Sequence, residues 1–201
     1  MCILENLKYK ILEDPTSFER TKYRFPKYTL AKDKFIKSIL DKAGFSGVLM
    51  NFCIHEDEWT AARTFRNKNF FDKIPIADPY TWTFDHKDHV HLVLYQGTKI
   101  IGYAHMQLWP DQRAALRIIM IDERIRGQGL GGQFLSLCEC WLKQQGFKVL
   151  QTQASPAAYP FYLKYGYTEM PFNDPDGYES DPQDTDMGKS LRKGEITKDD
   201  H

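Results

Sequence analysis

Glycines are the residues in this chain whose spacing most clearly suits chemistry. Arg126-Gly127-Gln128-Gly129-Leu130-Gly131-Gly132 follows an apolar stretch ending at Ile121 and leads straight into a helix-forming run. The first turn of a helix offers N–H groups without intrahelical partners, at the positive end of its dipole. Glycines let the backbone approach a ligand closely and take positive φ. Together these features make an anion site suited to a phosphate or pyrophosphate, and Arg126 adds a charged fork. Three phosphate motifs compete for this role. The P-loop pattern G-x-x-x-x-G-K-[ST] ends correctly at Gly188-Lys189-Ser190, but Gln183 stands where its first glycine belongs, which rejects it. The dinucleotide fingerprint is met by Gly127, Gly129 and Gly132, yet it wants an acid at the end of the next strand, and that strand ends Gln151-Thr152-Gln153-Ala154. The third pattern, R/Q-x-x-G-x-G/A, is met by Arg126, Gly129 and Gly131.

That third pattern, with its surroundings, resembles the GNAT superfamily of N-acetyltransferases. Strand, turn, helix and next strand come in the family's order through LRIIMIDERIRGQGLGGQFLSLCECWLKQQGFKVL. Phe161-Tyr162-x-x-x-Gly166-Tyr167 is similar to a second signature of the family, and Asp186-Met187-Gly188-Lys189-Ser190-Leu191 to its closing strand. The resemblance spans about residues 46–191. It implies acetyl-CoA as cosubstrate, no metal, and transfer of the acetyl group to an amine by direct attack. It further implies that backbone groups of Ile119, Met120 and Ile121 pair with the pantetheine arm and the acetyl carbonyl. The amides of Arg126, Gly127, Gln128, Gly129, Leu130, Gly131 and Gly132 would hold the pyrophosphate. Ser155, where the family often has Asn, joins the cofactor-binding set, and Tyr162 would protonate the coenzyme A thiolate. Tyr suits that task because its hydroxyl is a donor with a high pKa. The ordinary alternative for Tyr162 is an aromatic that packs on the sheet. Pro160, inside the short helix, removes one N–H and would shift Tyr162.

The acceptor amine is mostly protonated at neutral pH, since an alkylammonium titrates near ~10.4. A base is therefore needed. The strand 116–121 has no carboxylate, and its only charge is Arg117. His105, on the preceding strand and on one face with Tyr103 and Gln107, is the candidate, because His titrates near neutrality. A hydrogen-bonded strand histidine and a water chain are the alternatives. His86, His89 and His91 read as a solvated loop entering a strand rather than a zinc set. Cys2, Cys53, Cys138 and Cys140 show no disulfide framework and read as small thiols in a reducing compartment.

The elements that position these groups follow from periodicity. Val48–Ile54 reads as a strand and 56–71 as a helix, with Pro75 and Pro79 bracketing a loop. Strands are expected at 89–95, 100–108 and 115–121, the first two joined as a hairpin at Gln96-Gly97-Thr98-Lys99. Leu130–Gln145 is the strongest helix, with Leu130, Phe134, Leu137, Cys138, Trp141 and Leu142 as its apolar stripe and Gly146 as its cap. A strand at 148–154 follows, then a short helix opened by Ser155-Pro156 as N-cap and first position. Strands at 167–172 and 185–191 flank an acidic loop. The fold class expected is α/β, an α+β mixed sheet with helices on its faces, of GNAT-like acyltransferase type with an N-terminal helical extension.

Three segments are expected: a helical extension 1–45, a transferase domain 46–191 and a flexible tail 192–201. Within the extension, SFERTKYRF and YTLAKDKFIKSIL weakly resemble the C-terminal tail of GrpB-like proteins. Residues 19–42 hold eight Lys or Arg against three acids, and residues 171–186 hold six acids and no base. The acidic stretch could draw in a cationic acceptor, a role that would rest on Asp176, Glu179 and Asp181, or could be a solvated loop. The whole chain balances 27 basic against 27 acidic side chains, which gives no footing for nucleic acid or an anionic membrane. No apolar run is long enough to span a bilayer, so a cytosolic protein is expected. The partners expected are a small-molecule or peptide amine acceptor and, since the family often dimerises, a second copy. A non-catalytic acyl-CoA-binding sensor is the alternative from another class.

Overall fold

A computed structural model describes residues 47–192 apart from 73, 75 and 178–180, together with Lys42. Apart from Lys42 and Arg192, the expected helical extension 1–45 with its GrpB-like segment and the expected tail 192–201 lie outside the described residues. The elements are β1 (Val48–Phe52), α1 (Glu56–Arg66) continued by a π-helical turn (Asn67–Phe71), a 3-10 turn (Thr81–Asp85), β2 (His89–Gln96), β3 (Lys99–Leu108) and β4 (Arg113–Ile121). A 3-10 turn (Glu123–Ile125), α2 (Leu130–Gln144), β5 (Val149–Ala154), α3 (Tyr159–Lys164), β6 (Thr168–Glu169) and β7 (Thr185–Ser190) complete the chain. The strands form one mixed seven-stranded sheet in the order β1-β2-β3-β4-β5-β7-β6. The expected α/β fold with a mixed sheet is therefore present. The chain divides into two compact units, one running to Tyr103 and including Met120–Glu123, the other comprising Ala104–Ile119 and the residues from Arg124 onward.

In the first unit, β1 pairs antiparallel with β2, Met50 opposite Leu94. Val90, Leu92, Val93 and Leu94 are almost fully buried. A buried carboxylate ties β1 to α1. Glu58, with no exposed surface, closes a capping box at the helix start. It accepts from the Ile54 and His55 N–H groups at 2.9 and 3.0 Å. Asn51 Nδ2 and the Tyr95 hydroxyl also donate to it, at 3.2 and 3.0 Å. Four donors satisfy a charge that would otherwise be costly to bury. At the other end of α1, Arg66 forks onto Asp78, with both side chains at most 5% exposed, and this pins the loop that follows.

In the second unit, α2 turns Leu130, Phe134, Leu135, Cys138 and Leu142 inward. Leu137 and Trp141, assigned to the stripe by spacing, are only half-buried, and Leu135 takes the inner position instead. Gly146 ends the helix at φ 84°, the left-handed geometry expected of a glycine there. The β5–β7 ladder is antiparallel, with Thr152 opposite Met187. The expected strand 167–172 is reduced to Thr168–Glu169. Beyond it Arg113 donates to the Phe172 carbonyl at 3.0 Å, and the chain leaves the sheet at Asn173 with φ 46°.

Candidate functional site

The parallel ladder between β4 and β5 is short. It covers Arg113↔Val149, Ala114↔Leu150 and Ala115↔Gln151, although β4 runs on to Ile121 and β5 to Ala154. The two strands fork after their third pair. A strand that leaves its ladder keeps a row of N–H and C=O groups available to an extended ligand. At the fork, Thr152 Oγ1 donates to the Leu116 carbonyl at 3.0 Å. The same threonine neighbours the Tyr162 hydroxyl and lowers its pKa. Thr152 and Tyr162 are 2% and 6% exposed, so the pair is sheltered from water. Burial pushes the Tyr162 phenol above the ordinary tyrosine value, while the Thr152 hydroxyl pulls the other way and the Cys138 thiol adds to the rise. The phenol is thus held protonated across neutral pH, as a donor rather than a base.

Tyr162 is fixed from two sides. Its ring meets Tyr167 and Phe161 edge-on, with centroids 5.3 and 5.2 Å apart. Tyr167 in turn donates to Glu139 of α2 at 3.1 Å, and Lys189 of β7 donates to the other oxygen of that carboxylate at 2.8 Å.

The glycine turn stands at the start of α2. Gly127 and Gly129 take φ of 83° and 78°, and Gly129 is the helix N-cap in left-handed geometry. At this end of the helix the Gln133 N–H donates to the Gly129 carbonyl at 3.1 Å. The amides of residues 130–132 precede it in the first turn, where a helix has no carbonyl of its own to offer. A Cβ on Gly132 would overlap the Tyr165 hydroxyl, so that glycine lets α3 approach α2. Arg126, Gly127, Gln128 and Gly129 are exposed, and Leu130 and Gly132 are buried.

Ile119 lies on β4 within the second unit, whereas Met120 and Ile121 belong to the first. His105, expected on one face with Tyr103 and Gln107, lies in a stretch of β3 from Ile101 to Gln107 that is buried at every position. Its own exposure is 4%. Alternation along the strand therefore does not separate a wet face from a dry one.

Three expectations are corrected. Ser155 does not cap a helix with its side chain. Its carbonyl accepts from Ala158 and Tyr159 N–H at 2.8 and 2.9 Å in a turn, and α3 begins at Tyr159. Pro160 therefore sits in the first helical turn, where its missing N–H costs nothing. His89 and His91 lie on β2, within the strand expected at 89–95, but they are not solvated, for both are 2% exposed. His91 Nδ1 lies 2.7 Å from the Tyr103 hydroxyl and its Nε2 3.0 Å from the Thr83 carbonyl.

The acidic stretch is largely engaged. Asp174 pairs with Arg117, and Gln107 donates to Asp176. Asp186 accepts from the Phe172 N–H and from Gln153, both at 3.2 Å. Arg117 also lies over Phe172, 5.2 Å from the ring centroid. Asp181 and Asp184 sit at the other end of the loop, where burial and these neighbouring carboxylates raise the Asp184 acid. Glu179 lies outside the described residues. Thr152 is the site residue that sequence reasoning passed over, since nothing in Gln151-Thr152-Gln153 marks the middle residue as special.

Among the described residues no group of three His, Cys, Asp or Glu side chains is placed to hold a metal, and no helix is long and apolar enough to cross a membrane. The acetyltransferase (GNAT) family model matches residues 52–167, more than half of the chain. No curated protein matches the sequence significantly. Solved structures share the fold at low identity. One is a Lactobacillus plantarum protein described as an N-acetyltransferase, 24% identical with a TM-score of 0.59, covering 73% of this chain and 99% of that one. Another is the Escherichia coli ribosomal-protein-S18-alanine N-acetyltransferase, 19% identical with a TM-score of 0.56, covering 75% and 98%. A third is the PaiA N-acetyltransferase of Thermoplasma acidophilum in complex with coenzyme A, 15% identical with a TM-score of 0.51, covering 72% and 99%. The match over residues 52–167 makes this chain a member of the acetyltransferase (GNAT) family of acyltransferases.

Proposed function

We propose that this protein is an N-acetyltransferase that takes acetyl-CoA and passes its acetyl group directly to an amine. The observation that carries this reading is the fork between β4 and β5, with a buried tyrosine hydroxyl at its base. Acetyl-CoA supplies an activated thioester and a long arm bearing two amides and a pyrophosphate. The part of β4 beyond the fork, through Ile119, Met120 and Ile121, pairs with the arm in the manner of an added strand. The first-turn amides of α2 and the exposed Arg126 side chain hold the pyrophosphate, with Gly127, Gln128, Gly129, Leu130, Gly131 and Gly132 shaping the turn. Ser155, exposed beside the end of β5, completes the set on the other branch of the fork.

Tyr162 gives its proton to the leaving sulfur. Thr152 then turns its hydroxyl from the Leu116 carbonyl to the phenolate and holds that charge until a proton returns. The burial that raises the phenol also raises a thiolate beside it, so the two stay matched as donor and acceptor. His105 is the base that takes the proton from the attacking ammonium, directly or through water. The test is coenzyme A release with amines, for wild type and Tyr162→Phe. The enzyme reading expects amine-dependent release that the Phe variant loses while still binding acetyl-CoA. Binding with no release from wild type would favour a non-catalytic acyl-CoA sensor.

A further inference from the structure

The first unit contains a cavity of about 530 Å³, lined by Trp59, Arg63, Thr81, Trp82, Phe84 and Asp85. Three of its six walls are aromatic. Trp82 is 43% exposed, unusual for so large an apolar side chain, yet it is not loose. Its ring meets His86 and His89 edge-on at 5.4 and 5.1 Å. Trp59 lies against Phe84 and His91 at 5.5 and 5.6 Å. The 3-10 turn carrying Thr81, Trp82, Phe84 and Asp85 is pinned beneath by Thr83, whose hydroxyl donates to the Tyr80 carbonyl at 2.7 Å and whose own carbonyl is held by His91. The aromatic wall is therefore built before any ligand arrives.

The charges select the ligand. Arg63 is paired with Glu56 at 3.2 Å, which offsets it. The Asp85 carboxylate makes no hydrogen bond or ion pair among the described residues and leaves the cavity one negative charge. The rings already attract cations within the chain, for the guanidinium carbons of Arg66 and Arg63 stand 5.5 and 6.0 Å from the Phe84 centroid. With Phe84 so engaged, Trp82 and Trp59 provide the remaining π-faces. Aromatic faces beside an unpaired carboxylate favour an organic cation over an anion or a neutral alcohol.

We infer that this cavity binds the ammonium head of an alkylamine, with Trp82 and Trp59 as its aromatic walls and Asp85 as its counter-charge. Binding rests on these walls and needs neither acetyl-CoA nor turnover, so it stands or falls apart from the transfer reaction. The test is calorimetric titration of the full chain with n-butylammonium, n-butanol and butyrate at matched ionic strength. Saturable binding of n-butylammonium alone is expected. Asp85→Asn and Trp82→Leu, both at exposed positions, should each weaken it about three- to tenfold with melting temperature unchanged. No saturable binding of n-butylammonium, equal binding of butyrate, or an affinity that either substitution leaves unaltered would overturn the inference. A lysine tripeptide separates two sources of the same head group. Tighter binding than n-butylammonium assigns the cavity to a peptide side chain, and equal or weaker binding assigns it to a free amine.

Discussion

Tyr162 has a hydroxyl that rests on Thr152 and can turn toward a leaving group, and phenylalanine at that position removes both options. Tyr162→Phe should lower kcat by about 10²-fold or more, the usual worth of a positioned general acid, with acetyl-CoA affinity unchanged by calorimetry. Thr152→Val keeps the shape and removes the hydroxyl. It should lower kcat about tenfold, since the phenolate loses one hydrogen bond, and Thr152→Ser should restore most of the rate. If Ser fails to restore it, the threonine acts by packing alone. His105→Gln should abolish the acid limb of the pH–rate profile; a limb that persists shifts the base to another group or to water. Phe161, Gly166 and Tyr167 frame Tyr162 at a fixed spacing, which singles it out in the sequence. Nothing singles out Thr152, because its contact reaches a carbonyl 36 positions away.

At the scale of elements, the periodic segments were readable and the irregular ones were not. The helix at 130 and the hairpin at 96–99 announce themselves by apolar stripe and turn residues. The fork does not, because sequence shows where β4 and β5 run but not that they pair over only three residues. Ser155-Pro156 looked like a helix start because Ser and Pro favour those positions, yet the helix waits until Tyr159. The 3-10 turn at 81–85 has no periodicity to reveal it, and its register is set by His91 from a neighbouring strand. Gly129→Ala would place a Cβ at φ 78°, costing about 1 kcal/mol of stability and weakening acetyl-CoA binding, both readable by thermal melts with and without ligand.

The Arg66–Asp78 pair acts on the stability of the first unit. Removing one partner of a buried ion pair strands the other, so Asp78→Ala should cost about 3–5 kcal/mol in a denaturant titration. Burial alone would raise the Asp78 carboxyl, but its hydrogen bond from Arg66, the Tyr80 N–H and the nearby positive charges carry it below the usual value. A depressed folded pKa stabilises at pH above the unfolded value near ~3.9, and that contribution is lost as pH falls through the folded value. Wild type should lose stability more steeply than Asp78→Asn in that acid window.

Over the whole molecule, the balance of 27 basic and 27 acidic side chains directs attention to local charge. The acidic loop read from sequence as a lure for cations spends Asp174 on Arg117 and engages Asp176 with Gln107, while Asp85 had no run of acids to mark it. Family membership was legible because three motifs fall in order along one chain, whereas the acceptor was not, since no motif encodes it. The most direct measurement is coenzyme A release from acetyl-CoA across polyamines, amino acids, aminoglycosides and lysine peptides. Release that depends on one amine class, and that Tyr162→Phe loses, is the predicted result. Absence of release with every amine, together with a melting temperature that acetyl-CoA does not raise, would contradict the claim that the β4–β5 fork and the glycine turn form an acetyl-CoA site.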